Sequence, residues 1–174
     1  MLSSQVESLP RRTLAREVSL SAPGAMTGCM IEVRLSSSTE GLALVRSDTG
    51  VRTAVEPEAC GLGESWSVIG RGYGEVRLIE HLLAALAAAG ITDATIGVSG
   101  VEVPLVDGSA KVWAELVASA GVEALDGEVE PLAVRRPVVV MNQERRQTLA
   151  AFPYPRLRLV YILDWSHPLV GLQV

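Results

Sequence analysis

The side chains best suited to chemistry are Glu80 and His81, which are adjacent in a segment with helical apolar spacing. A neutral imidazole is a good zinc ligand, and a nearby carboxylate can take a proton from a water molecule. Neighbouring helical residues point about 100° apart, but near a helix start both can line one edge of a pocket. From the residues alone, a polar helix edge with one partly buried histidine is the favoured interpretation, because HExxH and every other two-ligand helical spacing are absent.

Two further groups are candidate site residues. His167, the second of the two histidines, could be a second metal ligand, although a loop histidine bonded to the backbone is the favoured interpretation. Asp107 could be a functional carboxylate, but in Asp107-Gly108-Ser109 the default is a helix cap or an Asx turn. The glycines between residues 61 and 74 fit neither GxGxxG nor GxxxxGK[ST], so a phosphate-binding loop is not predicted.

The elements that must position these residues can be predicted from apolar spacing. Helices are predicted over 75–89 and 110–120, with Gly90 and Gly121 as their stops and Asp107-Gly108-Ser109 as an N-cap for the second. A glycine-rich loop is predicted over 56–75. The predicted strands are 13–21, 29–35, 42–46 (as the antiparallel partner of 29–35), 95–99, 132–141, 147–151 and 157–163. This order predicts an α+β fold with the helices on one face of a small β-sheet.

Composition shifts along the chain predict its domain organisation. Residues 1–10 are expected to be a flexible tail, and 11–125 a first domain of a β-sheet layered with two helices. The acidic, turn-rich segment 126–131 is predicted to be a linker. Residues 132–174 then contribute mainly strands without helices to cover them, so we expect an incomplete start of a second α+β domain.

Charge and hydropathy exclude two classes of function. The net charge of −5 and the isoelectric point near 5.1 argue against nonspecific nucleic-acid binding, which needs a cationic surface. The longest apolar stretch is too short for a transmembrane segment. The beginning of the chain lacks an export signal, and Cys29 and Cys60 are expected to be reduced. We therefore expect a soluble, cytoplasmic protein.

Four motifs in the same order resemble those of the UDP-3-O-acyl-N-acetylglucosamine deacetylases. Arg12-Thr-Leu-Ala is similar to the opening RTL of that family, and residues 75–86 (EVRLIEHLLAAL) are similar to its VEHLLAAL motif. Residues 100–110 (GVEVPLVDGSA) resemble GPEIPILDGSA, and 164–171 (DWSHPLVG) resemble DFxHPxIG. The similarity runs from about residue 11 to the last residue.

The resemblance implies a two-domain enzyme with its active site between the domains. Members of this family are zinc-dependent hydrolases of lipid A synthesis that remove the N-acetyl group from UDP-3-O-(3-hydroxyacyl)-N-acetylglucosamine. By motif matching, His81 corresponds to a zinc ligand and Glu80 to the general base.

The departures from the family pattern are equally specific. The family takes its other two zinc ligands from a motif like HKxxDxxGDL, which is absent from this chain, and His167 matches the HP motif rather than a zinc position. Met26 stands where the family turn GxGLHSG has histidine, and residues 65–70 keep little of a CTTLG-like segment.

Three interpretations of these departures follow. The chain is expected to be a fragment of an enzyme or one half of a split enzyme whose other half is a separate polypeptide. Alternatively, it is a noncatalytic relative acting as a binding or interaction module, or a truncated product without activity. The expected partners are a UDP-sugar acyl substrate once the site is completed, and a missing half or a second copy of the chain.

Overall fold

The computed structural model describes residues 8–62 and 66–174 and divides into two compact units. Leu9–Val129 forms the N-terminal unit, and Glu130–Val174 lies in the C-terminal unit. The helices are α1 (Glu80–Ala88) and α2 (Lys111–Ala120). The strands are β1 (Leu9–Leu14), β2 (Val18–Pro23), β3 (Met30–Ser37), β4 (Leu42–Arg46), β5 (Arg52–Ala54), β6 (Cys60–Leu62), β7 (Ser67–Ile69), β8 (Val76–Arg77), β9 (Ala94–Val98), β10 (Val122–Val129), β11 (Val138–Asn142), β12 (Gln147–Ala151), β13 (Leu163–Trp165) and β14 (Gly171–Gln173). This mixture of helices and strands confirms the predicted α+β class.

The main sheet of the N-terminal unit has five strands in the order β2-β3-β9-β4-β5. Alternate side chains of β3 and β9 point into the core, as period-two patterning predicts. The buried side chains on these two strands are Ile31, Val33, Leu35, Ala94, Ile96 and Val98. The strands predicted over 29–35 and 95–99 are therefore confirmed, with β3 beginning at Met30 and Cys29 exposed.

The bounds predicted for β4 are confirmed, but its predicted pairing with β3 is wrong. Strand β9 lies between them, antiparallel to β3 and parallel to β4. The reason lies in the sequence of β9, because an apolar strand gains most from the centre of a sheet, where both faces can be covered. The parallel pair requires a long crossover, which the chain makes through β5 to α1.

Two segments of the N-terminal unit, residues 13–21 and 56–75, differ from the prediction. The strand predicted over 13–21 is two strands, since Ala15 turns away from β1 and donates its backbone N–H to the Gly121 carbonyl at 3.1 Å. The glycine-rich segment 56–75 contains the small sheet β6-β7-β8 and two 3-10 turns, Pro57–Ala59 and Gly72–Gly74. Gly70 allows this sheet to fold tightly, because a Cβ there would lie 2.4 Å from the Gly74 carbonyl oxygen.

Both helices pack their apolar sides into one core with the main sheet. The residues they bury are Leu82, Ala85 and Leu86 from α1 and Trp113, Val117 and Ala120 from α2. A fully buried large apolar side chain contributes roughly 1.5–3 kcal/mol to folding. The core therefore fixes which side of each helix remains available for chemistry.

The helix ends were predicted better than the helix starts. Gly90 and Gly121 follow the two helices with φ of 70° and 73°, which confirms them as stops because this backbone region is open to glycine. Helix α2 begins at Lys111, and its N-cap residue Ala110 offers no side-chain hydrogen bond. Within the predicted cap segment, the Ser109 hydroxyl accepts the Lys111 N–H at 3.1 Å, and Asp107 accepts the Ser109 N–H at 2.9 Å in an Asx turn, the alternative interpretation.

Strand β10 includes part of the predicted linker. It pairs antiparallel with β1 from Leu9↔Val129 to Leu14↔Val122, and residues 126–129 lie within it. Residues 126–129 therefore continue the strand although they are turn-prone and acidic, because an exposed strand, like a linker, carries mostly polar side chains.

The C-terminal unit contains two antiparallel hairpins, β11-β12 and β13-β14. The strand predicted over 147–151 is confirmed, and the one predicted over 132–141 begins only at Val138, after Pro137. The strand predicted over 157–163 is wrong, because only Leu163 of it is in a strand. Its apolar alternation has no neighbouring strand to pair with in the described residues.

Neither helix in the described part of the chain is long and apolar enough to cross a membrane.

An ion pair between the partly exposed Arg11 and the buried Asp93 lies where the chain enters β9. The Asp93 carboxylate accepts hydrogen bonds from Arg11 at 2.5 Å, from the Gly41 backbone N–H at 2.7 Å and from the Thr92 hydroxyl at 2.6 Å. Burial by itself raises the pKa of Asp93, but the hydrogen bonds from Arg11, Thr92 and Gly41 outweigh it, and the pKa lies below its ordinary value. Asp93 thereby holds β1 and the β3–β4 connection at the start of β9.

Asp93→Asn is expected to lower the free energy of unfolding by about 1–3 kcal/mol, because the amide cannot accept all the hydrogen bonds that the buried carboxylate accepts. A group whose pKa is lower in the folded state stabilises the fold at pH values above its unfolded-state pKa, which is about 3.9 for aspartate. This stabilisation is lost as the pH falls through the folded-state pKa. Urea unfolding at pH 7 and at pH 3 measures both effects, and the difference from wild type should narrow at pH 3. Asp126→Asn, at an exposed carboxylate, is the control. Equal stability of wild type and Asp93→Asn at pH 7 would contradict this account.

Candidate functional site

Glu80 and His81 form the first turn of α1, five residues later than the predicted helix start at 75. The preceding residues are β8 (Val76–Arg77), followed by Leu78 and Ile79, which are both buried. Glu80 is exposed and His81 is half-buried. The two side chains therefore lie where a strand ends and a helix begins. This is the placement expected for two side chains that line one edge of a pocket.

Leu78 adopts a left-handed conformation with φ of 58°. Such a backbone is uncommon for a residue other than glycine and costs of order 1–3 kcal/mol. Its backbone N–H donates to the Ser67 carbonyl at 3.1 Å, and its side chain is buried. Packing and this hydrogen bond thus hold the turn that places Glu80 at the helix start.

The Glu80 carboxylate is held by a second contact from the same strand. The Ser67 hydroxyl donates a hydrogen bond to Glu80 Oε2. The N-cap residue of α1 is Ile79, which has no side-chain hydrogen bond to offer. Glu80 is therefore oriented from β7 rather than from its own helix.

A charged rim is formed by Arg77 of β8 and by two residues that immediately precede β7 and β8, Trp66 and Glu75. The Arg77 guanidinium lies 5.7 Å from the centroid of the Trp66 ring and donates to Glu75 at 2.7 Å. This stacking and ion pairing fix the ends of β7 and β8 next to Ser67. Residues 63–65, which include Ser65 of the CTTLG-like segment, lie outside the described residues.

A buried carboxylate that the sequence did not single out organises the turn over residues 23–28. Glu102 is fully buried, and it accepts hydrogen bonds from Met26 N–H at 3.0 Å and from Thr27 N–H at 2.8 Å. The Thr27 hydroxyl adds a third bond at 2.7 Å. Gly24 is required beside it, because a Cβ there would lie 2.2 Å from Glu102 Oε1.

Glu102 also connects this turn to the strand that leads to α1. Its backbone forms a parallel bridge with Arg77, three residues before Glu80. Burial by itself raises the pKa of Glu102, but the hydrogen bonds from Thr27 and Met26 outweigh it and hold the pKa below its ordinary value. One acidic residue between valines in an otherwise apolar segment (VEVPL) was the signal that could have found it.

Met26 occupies this turn where the family pattern has histidine, and it is exposed. The turn closes through the backbone, with Gly24 N–H donating to the Cys29 carbonyl at 2.8 Å and Gly28 N–H to the Gly24 carbonyl at 3.0 Å. Replacement of the histidine therefore leaves a turn whose shape is set by Glu102 and by its own backbone.

The donors in the described residues fall short of a zinc site. A catalytic zinc usually has three protein ligands, whereas no group of three His, Cys, Asp or Glu side chains could hold a metal ion within residues 8–62 and 66–174. His167 lies in the C-terminal unit, where its Nδ1 accepts Leu169 N–H at 3.2 Å and its carbonyl accepts Val170 N–H at 3.0 Å. This confirms the interpretation of His167 as a loop histidine bonded to the backbone.

The fold and the site together describe an α+β protein that presents a carboxylate and an imidazole at the start of a helix. The family model for UDP-3-O-acyl N-acetylglycosamine deacetylase matches residues 11–174, so the chain belongs to that family. The resemblance inferred from the four motifs is thereby confirmed.

Similar curated proteins carry the same description. The UDP-3-O-acyl-N-acetylglucosamine deacetylase of Leptospira biflexa is 30% identical over 165 residues, which are 92% of this chain and 54% of the relative. The deacetylase of Geobacter sp. strain M21 is 31% identical over 94% of this chain and 54% of its own length. That of Thermosynechococcus vestitus is 32% identical over 94% of this chain and 58% of its own. The chain thus spans about half the length of the curated relatives it matches.

Glu102→Gln is expected to lower the free energy of unfolding by about 1–3 kcal/mol, because the amide cannot accept every hydrogen bond that the carboxylate accepts. Amide hydrogen exchange of Met26 and Thr27 measures the local effect, and both should exchange faster than in wild type. Glu123→Gln, at an exposed carboxylate on β10, is the control. Unchanged exchange at both amides would show that Glu102 does not hold the turn.

Proposed function

We propose that this chain supplies half of a deacetylase site that acts on UDP-3-O-(3-hydroxyacyl)-N-acetylglucosamine in lipid A synthesis in the cytoplasm. Membership of the family and the names of the relatives support the reaction class. The observation that carries the proposal is the Glu80–His81 pair at the start of α1, with its carboxylate held by Ser67.

In this proposal Glu80 is the general base. It accepts a proton from the water molecule that attacks the acetamide carbonyl carbon, and the carbon–nitrogen bond then breaks. Acetate and the free amine of the sugar are the products, and the amine nitrogen takes up a proton as it leaves. A base must lie within hydrogen-bond reach of the attacking water, and the exposed position of Glu80 is compatible with this requirement.

His81 is proposed to contribute one zinc ligand. Its imidazole suits the metal chemically, but the described residues do not complete a site around it. Further ligands are proposed to come from outside residues 1–174, from a part that corresponds to the portion of a relative C-terminal to the matched region. Activity is then a property of the completed protein rather than of residues 1–174 alone.

A second candidate function is that of a binding or interaction module. The observation that favours it is the number of large apolar side chains exposed in the C-terminal unit, among which Leu157 and Leu159 are 86% and 84% exposed. Each such side chain forgoes roughly 1.5–3 kcal/mol of burial. Open strand edges and apolar patches of this kind favour association with another chain.

The 174-residue chain alone is expected to bind zinc weakly and to release no measurable acetate from the UDP-sugar substrate. Calorimetric titration with Zn²⁺ and an acetate assay measure the two properties. Robust, metal-dependent acetate release by the purified chain would contradict the proposal.

Addition of the C-terminal part of the Geobacter relative as a second polypeptide is expected to restore acetate release. In that mixture Glu80→Ala should lower kcat about 10²–10⁴-fold, the range of general base catalysis, while zinc content changes little. His81→Ala should lower zinc content and rate together. Glu115→Ala, at an exposed helix position, is the control. Equal rates for wild type and Glu80→Ala would remove Glu80 from the mechanism.

Self-association through the C-terminal unit is expected if the interaction module is the correct function. Leu159→Glu should then weaken association measured by light scattering, whereas Arg158→Glu at the next position should not. Limited proteolysis tests whether the C-terminal unit takes part in an interaction at all. Rapid trimming of a monomer to about residue 127 would show that residues 130–174 have no such role.

A further inference from the structure

Ser67 contacts the start of α1 through both its backbone and its side chain. Its carbonyl accepts the Leu78 N–H at 3.1 Å, and its hydroxyl donates to Glu80 Oε2. One residue of β7 therefore fixes both the left-handed turn before the helix and the carboxylate on its first turn.

This serine does not act as a helix cap. A cap accepts a backbone N–H from the first turn through its side-chain oxygen, whereas the Ser67 hydroxyl gives its proton to a side chain. The position of Ser67 is also set independently of Glu80, because β7 pairs with β8 at Val68↔Arg77 and Ile69↔Val76.

The hydroxyl leaves half of the carboxylate available. A serine hydroxyl has one proton to donate, and here it is directed at Oε2. Among the described residues no other hydrogen-bond donor is placed on Glu80, so Oε1 is open to water or substrate. This arrangement suits a general base, because one carboxylate oxygen is held while the other remains within reach of a water proton.

We propose that Ser67 is a positioning residue that holds Glu80 Oε2 so that Oε1 is directed at the attacking water. The inference rests on the proposed function, in which Glu80 is the general base. The strand pairing of β7 and β8 supplies the rigidity, and the single hydrogen bond supplies the direction.

The test compares Ser67→Ala, which removes the hydroxyl, with Ser67→Thr, which keeps it. The matched control is Ser21→Ala, an exposed serine on β2. In the enzyme completed with the C-terminal polypeptide, Ser67→Ala should lower kcat about tenfold or more, because misplacement of a catalytic group costs up to about 10²-fold. KM and zinc content should stay within about twofold, Ser67→Thr should retain at least about a third of the wild-type kcat, and Ser21→Ala should match wild type.

A second readout does not depend on turnover. In the 174-residue chain labelled with ¹³C at glutamate side chains, the Glu80 carboxylate signal should move in Ser67→Ala and stay near its wild-type position in Ser67→Thr and Ser21→Ala. An unmoved signal in Ser67→Ala, equal losses of kcat in the alanine and threonine variants, or a change in KM alone would overturn the inference.

The kcat comparison and the ¹³C NMR measurement together distinguish a failure of the positioning role of Ser67 from a failure of the proposed function. If the completed wild-type enzyme releases no acetate, the proposed function fails, and a displaced Glu80 signal would then leave Ser67 with a structural role only. If wild type is active and Ser67→Ala is equally active, the function stands and the positioning role of Ser67 is wrong.

Discussion

Between Arg77, the last residue of β8, and Glu80, the first residue of α1, the chain has two residues in which to change direction, and both are buried. A glycine would make this turn without strain, but the position is occupied by Leu78 with φ of 58°. The strain is tolerated because the leucine side chain contributes to burial and its N–H is satisfied by Ser67. The placement of Glu80 and His81 depends on this turn, since a helix that began at residue 75 would carry them into its interior.

Two buried carboxylates hold loops of the N-terminal unit in place through hydrogen bonds, as burial and a hydrogen bond hold the turn at Leu78. Asp93 holds the chain before β9, and Glu102 holds the turn over residues 23–28 against the segment paired with β8. In both, hydrogen bonds outweigh the effect of burial on the pKa, so the charged form is retained inside the protein. Buried carboxylates therefore order loops of the N-terminal unit, and Glu102 does so beside the strand that leads to the candidate site.

The sequence predicted features that depend on residues close together in the chain, and it missed features that depend on residues far apart in the chain. Gly90 and Gly121 were found as helix ends because a positive φ is a local property of glycine, and β9 was found from its own apolar spacing. The position of β9 between β3 and β4 was missed, because it depends on competition among strands for the sheet centre. Glu80 and His81 were assigned roles by family resemblance, whereas Ser67 and Glu102 were missed because their partners lie 13 and 75 residues away.

The measurement that tests the central claim most directly is imidazole ¹⁵N NMR of the 174-residue chain during titration with Zn²⁺. With two histidines in the chain, assignment needs only a His81→Ala variant. The account predicts that the His81 ring nitrogens shift on addition of Zn²⁺, while those of His167, whose Nδ1 already accepts the Leu169 N–H, remain in place. Shifts confined to His167, with His81 unchanged, would contradict the assignment of the candidate site to the start of α1.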